Sequence, residues 1–150
     1  MLGRVAQVVF TLTQFPEIEQ VQFALDGTPV ESIGGEGVSV DGVDRDAFEA
    51  VLPMIFVESP TPGEVVTSPI TLSGLNNTFE GTVNYTVTDN EGLILEEGFT
   101  TGGGGNGTFG PFEATVDYVT TRSGLGAVIV YEISPEDGSQ QHLVEIPVQM

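Results

Sequence analysis

From Ile55 to the end of the chain, apolar residues return at every second position in short bursts separated by turn-forming residues, and this period of two most restricts what the chain can become. The alternation predicts strands near Ile55 to Val57, Ile70 to Ser73, Thr78 to Thr88, Leu93 to Thr100, Thr108 to Tyr118, Ala127 to Ser134 and His142 to Val148. Successive side chains of a strand point to opposite faces of its sheet. Phe79, Val83, Tyr85 and Val87 are therefore expected inward, with Glu80, Thr82, Asn84 and Thr86 outward. The same logic places Phe112, Ala114, Val116 and Tyr118 inward, then Ile129, Tyr131 and Ile133, then Val144, Ile146 and Val148. Asn90-Glu91-Gly92 and Asp137-Gly138 supply turns, and the Gly102 to Gly105 run reads as a mobile loop. Seven short strands in under a hundred residues have the spacing of a β-sandwich.

Upstream the pattern differs. Val5, Val8, Val9, Leu12 and Phe15 recur at spacings of three and four, which predicts a helix from about Leu2 to Phe15 that buries this face and stops before Pro16. Val21 to Leu25 reads as a strand closed by the turn Asp26-Gly27, with its pair resuming at Pro29 and Val30. Gly34, Gly35 and Gly37 mark a flexible loop. Asp44 is an expected N-cap for a short helix with Asp46 in its first turn and Phe48, Val51 and Leu52 on its apolar side. The composition changes at LPMIFVESPTPG, which divides the chain into a small α+β segment over residues 1–52 and a sandwich over 53–150.

Composition excludes several classes of function. The formal net charge is -19, from 22 acidic residues against Arg4, Arg45 and Arg122, and there is no lysine. Such a field repels nucleic acid and anionic lipid and leaves cations, basic protein surfaces or simply water and salt, of which a solvated acidic surface is the expected reading. Without cysteine there is no disulfide, thiolate metal site or cysteine nucleophile. No apolar run approaches the ~18 residues of a membrane span, and the first fifteen residues lack the small-residue cleavage site of a signal peptide.

The words AQVVFTLTQFP, VQFALDGTPV and GGEGV resemble the C-terminal half of a GerM domain. IFVESPTPGEVVTSPITLSG, FEGTVNYTVTDNEG and YEISPEDGSQQHLVEIPVQM resemble the immunoglobulin-like domain of bacterial spore germination. The resemblance implies a mainly β fold: an immunoglobulin-like sandwich of about seven strands behind a partial α+β segment. Its Pro60, Pro62, Gly63 and Pro69 are expected to fix a turn between edge strands. It also implies that a complete GerM domain has a further helix and strands ahead of the first helix here. The signal or lipoprotein sequence of such a protein would lie there too, making a lipid anchor the chain's only route to a membrane and the cell surface its place. No catalytic residue comes with the resemblance.

Residue by residue, the chemistry reads as structural. His142, the single histidine, has no motif around it and reads as an exposed strand residue. Glu96 and Glu97 are adjacent in a strand, so they face opposite sides and do not form an acid/base pair. Asp41, Asp44, Asp46 and Glu49 lack calcium-loop spacing, and helix capping accounts for Asp44 and Asp46. Gly34-Gly35-Glu36-Gly37 lacks the Lys and Ser or Thr of a phosphate loop. Asn76, Asn84 and Asn106 carry the short glycosylation acceptor pattern, which arises often by chance. The expectation is no catalytic, cofactor-binding or metal site. The favoured function is a non-catalytic envelope scaffold or protein-interaction module. Its partner is another protein or a second copy held through the N-terminal segment, and exposed sheet edges are the natural contact. The alternative is a module for cell-wall glycan, disfavoured by the absence of Trp and the inward assignment of all three Tyr residues.

Overall fold

A computed structural model describes residues 1–150, which divide into two compact units, Met1–Leu52 and Pro53–Met150. The chain is mainly β, with a short N-terminal helix.

In the first unit, helix α1 spans Leu2–Leu12. It ends at Thr13, whose amide and hydroxyl both bond the Val9 carbonyl, a turn earlier than the expected end at Phe15. The buried face also differs. Val5, Ala6 and Val9 pack with Val21, Val40, Val43 and Phe48, whereas Val8, Leu12 and Phe15 are exposed. Both stripes satisfy helical spacing, and the small Ala6 lets α1 sit against its neighbours on the first. Hairpins β1 (Ala24–Leu25) with β2 (Thr28–Pro29), and β3 (Ser32–Ile33) with β4 (Val38–Ser39), follow. The strand expected from Val21 to Leu25 shrinks to β1 plus an isolated bridge from Val21 to Val43. Asp26 and Gly27, at φ 50° and 80°, make the tight turn between β1 and β2. Gly34 to Gly37 is a closed turn rather than a flexible loop, with the Gly37 amide bonded to the Gly34 carbonyl at 3.1 Å.

The short helix is 3-10, Asp46–Val51, and Arg45 rather than Asp44 occupies its N-cap. Asp44 still accepts the Ala47 amide at 3.4 Å. Arg45 donates to the Thr13 hydroxyl at 2.8 Å and lies 5.0 Å from the centre of the Phe10 ring. A cation is thereby set at the carboxyl end of α1, where the helix dipole favours it.

In the second unit the strands are β5 (Ile55–Ser59), β6 (Ile70–Asn76), β7 (Thr82–Asp89), β8 (Ile94–Thr101), β9 (Gly110–Val116), β10 (Leu125–Ile133) and β11 (Gln140–Gln149). They form two antiparallel sheets, β5-β6-β9 and β11-β10-β7-β8. Between them lie Ile55, Leu72, Val83, Val87, Phe112, Val116, Val128, Val130, Ile146 and Val148, all buried. The proline-rich segment leaves β5 and runs beside β11. The Gly63 and Val66 amides bond the Pro147 and Gln149 carbonyls at 2.7 and 2.8 Å, and the Gln149 amide returns to Glu64. That segment covers one edge of the four-stranded sheet.

Four inward assignments require correction. Phe79 belongs to a 3-10 turn, Phe79–Gly81, in which Glu80 takes φ 54°, so β7 begins only at Thr82 and Phe79 stands 51% exposed. In β10 it is Val128 and Val130 that enter the core, opposite Val87 and Tyr85. Ile129, Tyr131 and Ile133 lie on the outer face, where Ile133 is exposed. Thr86 is outward but buried, under the Tyr131 hydroxyl at 3.4 Å.

Gly102 to Gly105 is the other departure. The run is pinned by backbone bonds from Gly102 to Gly81, Gly103 to Pro111 and Gly105 to Thr108, all 2.8 Å. A Cβ on Gly104 would fall on the Asn76 carbonyl oxygen, and one on Gly102 would strike the Asn76 amide oxygen. Asn76 is fully buried, its Nδ2 donating to Thr78 at 2.8 Å and to the Gly81 carbonyl at 3.1 Å. Here glycine is needed for close backbone approach, not for mobility.

Candidate functional site

The outward half of the four-stranded sheet carries an open, mostly apolar groove of about 250 Å³ lined by Phe79, Thr82, Asn84, Phe99, Glu132 and Ile133. Pairing explains how these come together. Asn84 sits between Phe99 of β8 and Tyr131 of β10, so one cross-strand row reads Phe99, Asn84, Tyr131. Asn84 donates to the Tyr131 carbonyl at 3.5 Å. Phe79 arrives from the 3-10 turn, whose shape depends on Glu80 and Gly81 adopting positive φ.

Glu132 shapes the floor of the groove. It is buried, and its carboxylate accepts the Phe79 amide at 2.5 Å while its other oxygen lies 3.6 Å from His142 Nε2. His142 sits where the β10–β11 register shifts between Val130 and Glu132, with φ 53°. It is thus a bulge residue rather than a regular strand residue, and its side chain is 41% exposed. Together Glu132 and His142 position Phe79; neither approaches a nucleophile.

The other weighed residues are scattered or structural. No group of three or more His, Cys, Asp or Glu side chains is placed to hold a metal ion. Asn76 is buried with its Oδ1 unpaired, so the first glycosylation pattern is inaccessible. Glu97 is exposed and Glu96 half-buried, on opposite faces of β8. At the far end of the sandwich Asp89 Oδ1 accepts the amides of Glu91 and Leu93, both at 2.9 Å, and Oδ2 pairs with Arg122 at 3.1 Å. Burial, the largest single influence, pushes the Asp89 carboxyl up; the two amides and the guanidinium outweigh it and hold the group below the usual carboxylate range. Asp137 is held low by the Ser139 hydroxyl and amide, and by Ser134, in the β10–β11 turn. Both perturbed acids therefore close turns.

Sequence reasoning missed Phe99, Phe79 and Ile133 as surface residues. Phe99 shares its face with Glu97 two residues away, a parity that was available; Phe79 and Ile133 were hidden by the assumption that each apolar alternation points inward. Among the tyrosines, Tyr118 is buried and Tyr85 packs on the core, but Tyr131 belongs to the outer face.

These features define a two-sheet immunoglobulin-like domain with an open apolar strip on one sheet. Residues 54–139, more than half of the chain, match the family described as the immunoglobulin-like domain of bacterial spore germination, and the chain belongs to that family. Residues 1–31 match a second family, described as sporulation and spore germination. No curated protein and no solved structure matches the chain. No helix is long and apolar enough to cross a membrane.

Proposed function

We propose that this chain is a non-catalytic protein-interaction module of the cell envelope, part of a sporulation- or germination-type lipoprotein. The observation that supports it is the exposed strip formed by Phe99 and Ile133 of the four-stranded sheet with Phe79 of the adjoining 3-10 turn. Large apolar side chains gathered on an outward sheet face and rimmed by polar groups are the usual ground of protein contacts. The ionisable groups beside the strip serve to hold its shape.

Self-association through the first unit is a second contact of the same module. Val8 and Leu12 expose one stripe of α1, with Met1 and Phe15 exposed just beyond its two ends, and residues 1–16 contain no acidic side chain. In a chain of net charge -19 this surface escapes the like-charge repulsion that opposes pairing of two copies elsewhere.

A photo-crosslinking amino acid at Ile133, irradiated in intact cells that carry the gene, is expected to trap discrete protein adducts in the envelope fraction, while the same group at Glu136 does not. Adducts to wall glycan instead of protein, or turnover of wall polymer by the purified chain, would overturn the reading.

A further inference from the structure

The four-stranded sheet has one covered edge and one open edge. The Gly63 to Val66 segment pairs with β11 on one side, while β8 ends the sheet on the other with β7 as its only strand partner. Near its end the Thr100 hydroxyl reaches the Glu113 carbonyl at 2.9 Å, but from Ile94 to Phe99 the second row of backbone amides and carbonyls has no protein partner. Proteins commonly blunt such edges with lysine, proline or a covering loop. β8 has none of these; its pairing with β7 skips Leu95 in a bulge, and on either side of it Ile94 is exposed by 54% and Phe99 by 68%.

Its side chains define what can add there. Phe99 and Glu97 point to the outer face, Glu96 to the other. An incoming strand would place an apolar residue beside Phe99 and, two residues along the same face, a cation beside Glu97. A second cation would meet Glu96 from the opposite face. A second copy of β8 is a poor occupant, because antiparallel self-pairing sets these glutamates against one another in a chain with 22 acids and three arginines. Resting on the interaction-module reading above, we propose that the free edge of β8 receives an extended, basic segment of a partner protein by antiparallel strand addition, selected by Glu96, Glu97 and Phe99. The main chain supplies the pairing; the two carboxylates and the ring set register and charge.

The test uses the full chain and a capped octapeptide, Val-Thr-Val-Thr-Lys-Lys-Thr-Val, which in antiparallel register sets its lysines beside Glu97 and Glu96 and a valine beside Phe99. Fluorescence anisotropy at low ionic strength should show saturable binding that weakens with salt. The peptide should also slow hydrogen exchange of those β8 amides that point away from β7. Glu96→Lys with Glu97→Lys, and separately Phe99→Thr, should each weaken binding about tenfold or more. N-methylation of alternate peptide amides, on either set, should abolish it on the set that faces β8. Equal binding of both N-methylated peptides, or no change in β8 exchange on binding, would overturn strand addition. Absence of peptide binding while Ile133 still forms protein adducts in cells would refute this edge alone and leave the module reading standing; absence of both would remove the two together.

Discussion

Replacing Gly104 with alanine tests whether the glycine run is a mobile loop or a packed corner. A Cβ at this position would overlap the Asn76 carbonyl oxygen and stand 2.6 Å from its carbon and 2.7 Å from the Gly110 amide nitrogen. All three are backbone atoms, so no side-chain rotation relieves the clash. The segment must move away from β6 and the start of β9. Overpacking of this kind costs ~1 to 3 kcal/mol. Displacement also strains the Gly103–Pro111 and Gly105–Thr108 backbone bonds, each worth about 1 kcal/mol net. The expected loss is about 3 to 5 kcal/mol. In a unit of this size that lowers the melting temperature by at least about 12 °C. Gly103→Ala is the internal control: its nearest neighbour would be Pro111 Cδ at 3.4 Å, an ordinary contact. Urea unfolding followed by far-ultraviolet circular dichroism, with both variants on the full chain, should show a large fall in midpoint for Gly104→Ala and a small one for Gly103→Ala. Midpoints within 1 kcal/mol of each other, once converted with a common slope, would refute the packed corner.

Other outcomes follow from the corrected faces and charges. Val130→Ala, which empties part of the core, should cost about 2 kcal/mol, and Ile133→Ala, on the surface, less than about 1 kcal/mol; the reverse order in urea unfolding would mean that β10 has the opposite phase. Because the native pKa of Asp89 is depressed, its contribution is complete above the unfolded-chain value near about 4 and is lost as pH falls through the lower native value. The stability gap between wild type and Asp89→Asn should therefore be largest at neutral pH and close on acidification, and a gap independent of pH down to 2 would contradict it. Val8→Asp with Leu12→Asp should yield a monomer in sedimentation velocity at concentrations where the parent chain is dimeric, without loss of helical signal. A parent chain that is monomeric at tens of micromolar would remove the self-association reading. Val9→Asp is unsuited to this purpose because Val9 is fully buried and the change would unfold the unit.

Much of the architecture was legible because β7, β9 and β11 each have one face on the core and one toward water. Val83 with Val87, Phe112 with Val116 and Ile146 with Val148 announce their direction by alternating with polar neighbours, and the turns at Gly92 and Gly138 needed only a residue that accepts positive φ. The physical reason the rest was hidden is that parity is relative. LGAVIVYEI is apolar at both phases, so only the pairing of Val130 with Tyr85 decides that Val130, not Ile129, enters the core. The two candidate stripes of α1 likewise differ by one helical position, and contact with Val40 and Phe48 chooses between them. Phe79 reads as strand until Glu80 turns the backbone away. Glycines 102 to 105 read as freedom until the approach of Asn76 makes them a requirement. The candidate site shares this origin: the residue types were visible, but an open edge and an exposed aromatic strip exist only once the strands have chosen their neighbours.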